Sequence, residues 1–219
     1  MSKFAKESLL LILVVVPYIY LLTIWSGLPN RVPTHFDISG RPNDWSDRSF
    51  LLWFPALMGL GNYILMLVLP RIDPKKKLEQ MGNTYYSIRM ILGVFFTVIV
   101  VYIMYAATGK QLNIPNFIFI LIGAFFALLG NYFQTLKHNY FIGIRTPWTL
   151  ENEEVWKETH RLAGRLWMVG GLLIIVVSLL TANENFIWFG FLPIILTISL
   201  VPIFYSYVKF TKINHSPGR

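Results

Sequence analysis

Six long apolar runs free of ionisable side chains constrain this chain more than any other feature. They cover residues 9–25, 50–69, 90–107, 115–133, 166–182 and 186–208, and none contains Asp, Glu, Lys, Arg or His. A helix rises about 1.5 Å per residue, so about 20 apolar residues cross the roughly 30 Å hydrocarbon core of a bilayer. Inside hydrocarbon each peptide group must be bonded within its own segment, which leaves the helix as the solution for runs of this length. The expected fold is therefore all-α and polytopic, with about six transmembrane helices. Pro17, Pro55 and Pro202 interrupt three of the runs, which predicts kinks whose freed carbonyls are satisfied by neighbouring helices. The first run follows Lys3 and Lys6 as a secretory signal would. It is long for such a core and no small-residue cleavage pattern follows Trp25, so it reads as an uncleaved helix.

Composition agrees with a membrane location: 55% of residues are hydrophobic and 14% charged, against roughly 25% charged in soluble domains. The absence of cysteine closes off disulfides, thiolate metal sites and thiol nucleophiles. A net charge of +8 would raise the question of nucleic acid on a soluble protein. Here the basic residues sit between apolar runs, so no direct nucleic-acid binding is expected and membrane lipids are the expected contact. Fifteen Lys and Arg fall at one end of the six runs and four, Arg31, Arg41, Arg48 and Lys110, at the other. Positively charged loops stay in the cytoplasm, which predicts that both termini, residues 71–88 and residues 136–165 are cytoplasmic.

The chain divides, on this reading, into an amino-terminal two-helix unit, residues 1–70, carrying an outer loop at 27–49, and a four-helix unit, residues 71–219, carrying an inner loop at 136–165. In the outer loop the prolines bias their predecessors toward extended backbone, so Thr34 to Ile38 can run as a short strand with His35 and Asp37 on one side. Gly40 and the Pro42-Asn43-Asp44 stretch supply turn chemistry, and Trp45 is a natural interfacial anchor. Three readings are open for the Pro33, His35, Phe36, Asp37, Gly40, Pro42, Trp45 cluster. One is an imidazole and carboxylate pair working on a metal or as a general base, one a recognition surface for something arriving from outside, and one a scaffold that fixes the loop. His138, His160 and His215 fall on the opposite side, so a histidine-rich metal site is not expected, and no cofactor is.

The inner loop runs Asn139-Tyr140-Phe141-Ile142-Gly143-Ile144-Arg145-Thr146-Pro147-Trp148-Thr149-Leu150. Thr149 or Asn152 can cap a following helix whose first turns hold Glu151, Glu153 and Glu154, where carboxylates complement the helix dipole. Val155, Thr159, Leu162 and Leu166 recur at helical spacing among charged residues, so the segment is amphipathic. It lies along the inner interface and then turns or continues into the fifth span. Arg145 can bind a lipid phosphate, clamp a carboxylate such as Glu154, or engage a partner. His160 shares a side with Trp156, Ala163 and Trp167 and reads as a packed interfacial histidine.

These residues carry a resemblance. Asn139, Tyr140, Phe141, Gly143, Arg145, Thr146, Pro147, Trp148 and Thr149, followed by Glu154, Trp156, Thr159 and His160, are similar to the signature of the SdpI family of bacterial membrane proteins. The outer stretch from Leu28 to Trp45 resembles the domain of unassigned function that accompanies it, and His138 stands where the family pattern has proline. The resemblance implies a multi-pass protein of the bacterial cell membrane, related to immunity proteins that protect a producing cell from a secreted peptide toxin and hold a cytoplasmic regulator at the membrane. It carries over no catalytic residues. Alternatives are a transporter or exporter of peptide or lipid, disfavoured because coupled transporters often place ionisable residues within their spans, and a membrane enzyme using His35 and Asp37. Against the enzyme, the chain lacks the His-Glu-x-x-His and Gly-x-Ser-x-Gly patterns.

Overall fold

The computed structural model describes residues 2–37, 42–110, 116–181 and 186–214. Gly40, Arg41, Pro115 and His215 lie outside them. Helix α1 (Lys3–Ile24) starts at Ser2, whose hydroxyl accepts from the Ala5 N–H at 3.2 Å, and continues as a 3-10 turn, Trp25–Gly27. Two strands follow, β1 (Arg31–Phe36) and β2 (Pro42–Asp47). The next span is built from α2 (Phe50–Pro55), a π-helical turn at Ala56–Leu60, and α3 (Gly61–Ile72). Short α4 (Lys77–Gln80) precedes α5 (Asn83–Ala107) and α6 (Phe117–Phe133). Helix α7 (Pro147–Glu151), α8 (Glu153–Leu180), a π-helical turn at Ile187–Phe191 and α9 (Leu192–Asn214) complete the order.

Among the described residues, five helices are long and apolar enough to cross a membrane: Lys3–Gly27, Phe50–Ile72, Asn83–Ala107, Glu153–Leu180 and Ile187–Asn214. The sixth apolar run is the shorter α6, of 17 residues. Both wide turns have a local cause. Pro55 cannot donate to the Leu51 carbonyl and Pro193 cannot donate to that of Phe189, and lost donors of this kind loosen a helix at that point.

Two compact units emerge, and they interleave along the chain. One comprises Met1–Val68 with Arg89–Ile118, the other Leu69–Ile88 with Phe119–Arg219. In the first, Leu21, Leu28, Val32, Leu51, Val100, Met104 and Ala107 form a buried apolar cluster with Trp25 and Phe54 against it. Val32 of the hairpin is wholly buried there, so the strands are anchored to the helices by their own side chain. The Thr97 hydroxyl donates to the Leu13 carbonyl at 2.8 Å, tying α5 to α1.

The helices run past the apolar stretches visible in sequence, and this places an ion pair between two of them. Arg89 of α5 forks onto Glu7 of α1 at 2.7 and 2.9 Å, the Tyr63 hydroxyl donates to the same carboxylate at 3.1 Å, and the guanidinium lies 5.6 Å from the Tyr63 ring centroid. The sequence-based objection that the spans hold no ionisable side chain therefore holds for the apolar runs but not for the helices.

In the second unit α6 and α8 approach backbone to backbone. A Cβ on Gly130 would stand 2.5 Å from the Met168 nitrogen and 2.7 Å from the Gly164 carbonyl oxygen, and one on Gly164 2.7 Å from the Gly130 oxygen. Gly123 meets Gly171 in the same way. Two glycines seven residues apart on each helix thus open one seam, as small residues do where membrane helices touch. Trp167 spans to the next helix, its indole N–H donating to the Ile198 carbonyl of α9 at 3.0 Å.

Candidate functional site

The outer-loop cluster folds as an antiparallel hairpin with Arg31 opposite Asp47, Val32 opposite Ser46, Pro33 opposite Trp45, His35 opposite Asp44 and Phe36 opposite Pro42. Register shifts on either side of His35 mark where the ladder is irregular. Strand β1 ends at Phe36 rather than Ile38, so Asp37 lies just past it, and Pro42 to Asp44, expected as a turn, open the second strand. Proline is tolerated at the first residue of an edge strand because its missing N–H faces away from the ladder. His35 Nδ1 is bonded to the Asn43 amide oxygen. Arg31 donates to the Trp45 carbonyl at 3.0 Å. The Ser49 N–H donates to Asp47 at 2.8 Å and holds that carboxyl below the usual carboxylate range. Trp45 is exposed. Among the described residues no three His, Asp or Glu side chains converge as metal ligands.

The inner-loop motif is assembled around one asparagine. Asn139 is buried; its amide N–H groups donate to the carbonyls of Lys137 (2.8 Å) and Ile142 (3.0 Å), and its oxygen accepts from the backbone of Phe141 and Ile142, both at 2.8 Å. All four hydrogen-bonding capacities of the side chain are used, and each closes the loop on itself. Gly143 follows at φ +118°, and a Cβ there would overlap the His160 ring, so glycine is required both by conformation and by space.

The buried His160 supports the loop from below. Its Nδ1 sits 2.8 Å from the Trp156 carbonyl and its Nε2 accepts from the Ile144 N–H at 2.9 Å. That pair of partners fits the neutral ring with its hydrogen on Nδ1. The ring stacks on Trp156 with centroids 4.0 Å apart, and the Trp156 indole donates to the Leu136 carbonyl at 2.9 Å. His138 meets the Leu150 carbonyl at 3.0 Å and lies 5.2 Å from the Trp156 ring.

Thr146 and Thr149 form a capping box at the start of α7, with Pro147 at its first turn, a position where the missing N–H costs nothing. Thr149 also donates to the Ile144 carbonyl at 2.7 Å, and the Thr146 hydroxyl lies 3.0 Å from that of Ser206 on α9. Trp148 meets Tyr207, centroids 5.0 Å apart. Asn152 caps α8 by accepting from Glu154 and Val155, so of the two candidate caps it is Asn152 that serves, while Thr149 lies inside α7, which Thr146 caps. Helix α8 continues unbroken from the motif into the span. Its buried face runs through Val155, Trp156, Thr159, His160, Ala163 and Gly164, with Leu162 and Leu166 half-buried. The face is thus rotated from the Val155, Thr159, Leu162, Leu166 stripe, because the glycine seam draws Gly164 inward.

Arg145 and Glu154 do not clamp each other. Arg145 donates to the Tyr140 carbonyl at 2.8 Å, and Glu154 pairs with Lys209 of α9 at 3.2 Å. Lys75 lies over the Tyr140 ring, 5.0 Å from its centroid. The buried polar residues of the motif are therefore spent on its own architecture, while Tyr140, Arg145, Pro147 and Glu154 are exposed. Thr159 is fully buried, and its hydroxyl has no hydrogen-bond partner among the described residues.

This self-bonded loop and the helices that follow it coincide with a family model. Residues 135–206 match the SdpI/YfhL protein family, and residues 12–59 match a domain of unknown function, DUF1648. The SdpI likeness extends over almost the whole chain. The chain is 25% identical over 213 residues to Immunity protein SdpI of Bacillus subtilis (strain 168), covering 96% of this chain and 99% of that protein. It is also 35% identical over 58 residues to an uncharacterized protein of Archaeoglobus fulgidus, 26% of this chain and 32% of that one. No solved structure matches. With the SdpI relationship and the apolar helices together, the chain is a multi-pass protein of the cell membrane.

Proposed function

We propose that this protein is an SdpI-like immunity protein that protects the cell carrying it from a secreted peptide toxin. The observation that carries the reading is the end-to-end similarity to Immunity protein SdpI, which spans the hairpin, the motif and the helices between them. The chemistry of the motif favours binding over catalysis. Its asparagine, histidine and capping threonines are all bonded to the loop's own backbone, which leaves no paired nucleophile and base at an accessible surface of the motif as covalent catalysis requires.

In this proposal both termini and the motif face the cytoplasm, as the lopsided distribution of Lys and Arg supports. The hairpin of Pro33, His35, Phe36, Asp37, Pro42 and Trp45 then faces outward to meet the toxin. The exposed Tyr140, Arg145 and Glu154 face inward, where a cytoplasmic regulator would read them. The test is survival of a sensitive bacterium expressing the chain at matched membrane levels, challenged with secreted peptide toxins. Protection by the wild type that falls in His35→Ala assigns recognition to the hairpin, and loss in Arg145→Ala assigns it to the motif. No protection against any toxin would overturn the reading in favour of transport.

A further inference from the structure

The exposed side of the motif holds two cations on one aromatic residue. Tyr140 is 40% exposed. Its carbonyl is taken by the Arg145 guanidinium at 2.8 Å, and its ring by the Lys75 ammonium at 5.0 Å from the centroid. One N–H of Arg145 is used on that carbonyl, and the other four project from an exposed side chain. Lys75 comes from a different part of the chain, in the turn before α4. That turn is fixed by the buried Asp73, whose carboxylate accepts from the backbone of Lys75 at 3.3 Å and Leu78 at 2.9 Å. The acid closest to Lys75 in sequence is thus committed to the backbone. Glu154, the acid that could have neutralised Arg145, is committed to Lys209.

Depth in the membrane selects the occupant. Lys75 follows the end of α3 at Ile72 by three residues, and Tyr140 follows the end of α6 at Phe133 by seven. Both ends terminate apolar helices, so the pair stands at the level where hydrocarbon gives way to headgroups. Tyrosine concentrates at that level with its ring in the boundary and its hydroxyl toward water, and a guanidinium there matches a phosphate by paired N–H bonds. We propose that Lys75, Tyr140 and Arg145 form a binding site for the phosphate of an anionic phospholipid headgroup, with Lys75 supplying charge, Arg145 the directed bonds and the Tyr140 hydroxyl a further donor. The site does not depend on the immunity reading.

Native mass spectrometry of the full chain in neutral detergent tests it, with phosphatidylglycerol, phosphatidylcholine and inorganic phosphate as separate probes. Phosphatidylglycerol is expected to be retained in preference to phosphatidylcholine, and each of Lys75→Gln and Arg145→Gln to weaken that retention about fivefold, the effect of one basic residue near an anionic surface. Lys137→Gln, an exposed charge outside the triad, is expected to leave it unchanged. Should Arg145→Gln fail to fold through loss of its bond to the loop, Lys75→Gln carries the result alone. Equal retention of the two lipids, an equal loss in Lys137→Gln, or displacement of phosphatidylglycerol by inorganic phosphate at matched concentration would overturn the proposal. Displacement by polyglutamate in place of lipid selectivity would assign the surface to an acidic protein and overturn it as well.

Discussion

Asn139 shows at the scale of one residue how the motif is held. Its amide satisfies peptide groups of residues 137, 141 and 142 in a loop whose backbone has no strand or helix to bond to. Asn139→Ala should therefore cost about 3 kcal/mol, since each buried peptide group left unpaired costs about 1–3 kcal/mol. Thermal unfolding in detergent measures it, and a loss below about 1 kcal/mol would mean that water replaces the side chain. Sequence alone singles out Asn139, Gly143, Arg145 and His160 but not what each does. Spacing along a loop with no period carries no information about which carbonyl a side chain will reach. Gly143 is the partial exception, since a glycine between apolar residues signals a positive φ or a close approach, and here both occur. Thr159 belongs by spacing to an apolar stripe, and nothing in the packing around it explains its buried hydroxyl.

Between elements, the decisive contacts join residues far apart in sequence. The Glu7 and Arg89 pair ties α1 to α5 beside Tyr63. Removing one partner leaves a partly buried charge without its counter-ion, so Glu7→Gln should destabilise by about 1–3 kcal/mol, and the double change Glu7→Gln with Arg89→Met should recover most of that. A double-mutant cycle by unfolding in detergent reads the difference, and equal losses in single and double variants would contradict the pairing. The α6 and α8 seam makes a second demand. Gly164→Ala should cost about 1–3 kcal/mol by forcing two backbones apart, and the corresponding change at Gly27, where nothing lies within 4 Å of an added Cβ, should cost far less. Helix existence is legible in the sequence because runs of about 17 or more apolar residues admit no other structure in a bilayer. Helix ends are not, because polar residues such as Glu7 and Arg89 extend a helix as readily as they end it, and their pairing depends on helices that sequence order does not place together. The hairpin is half legible: proline marks β1 as extended, while β2, rich in Asn, Asp and Ser, has the composition of a turn and becomes a strand by pairing with β1.

For the whole molecule, orientation is directly measurable, and the composition offers a clean way to do it. With no native cysteine, a thiol placed at Asn43 or at Lys157, both exposed, is the only reactive group of its kind. Impermeant maleimide on intact cells should label Asn43→Cys and leave Lys157→Cys unlabelled until the membrane is broken; the reverse pattern would invert the proposed topology. Charge asymmetry along the chain predicts this orientation from the residues alone, whereas nothing in composition distinguishes a protein that binds a toxin from one that exports it. Protection is read most directly from the killing curve of Bacillus subtilis lacking its own SdpI, exposed to the peptide toxin that SdpI guards against, with and without this chain. A higher toxin dose should be needed for the same killing when the chain is present at the membrane. Superimposable curves with a correctly inserted protein would mean that the chain gives no immunity.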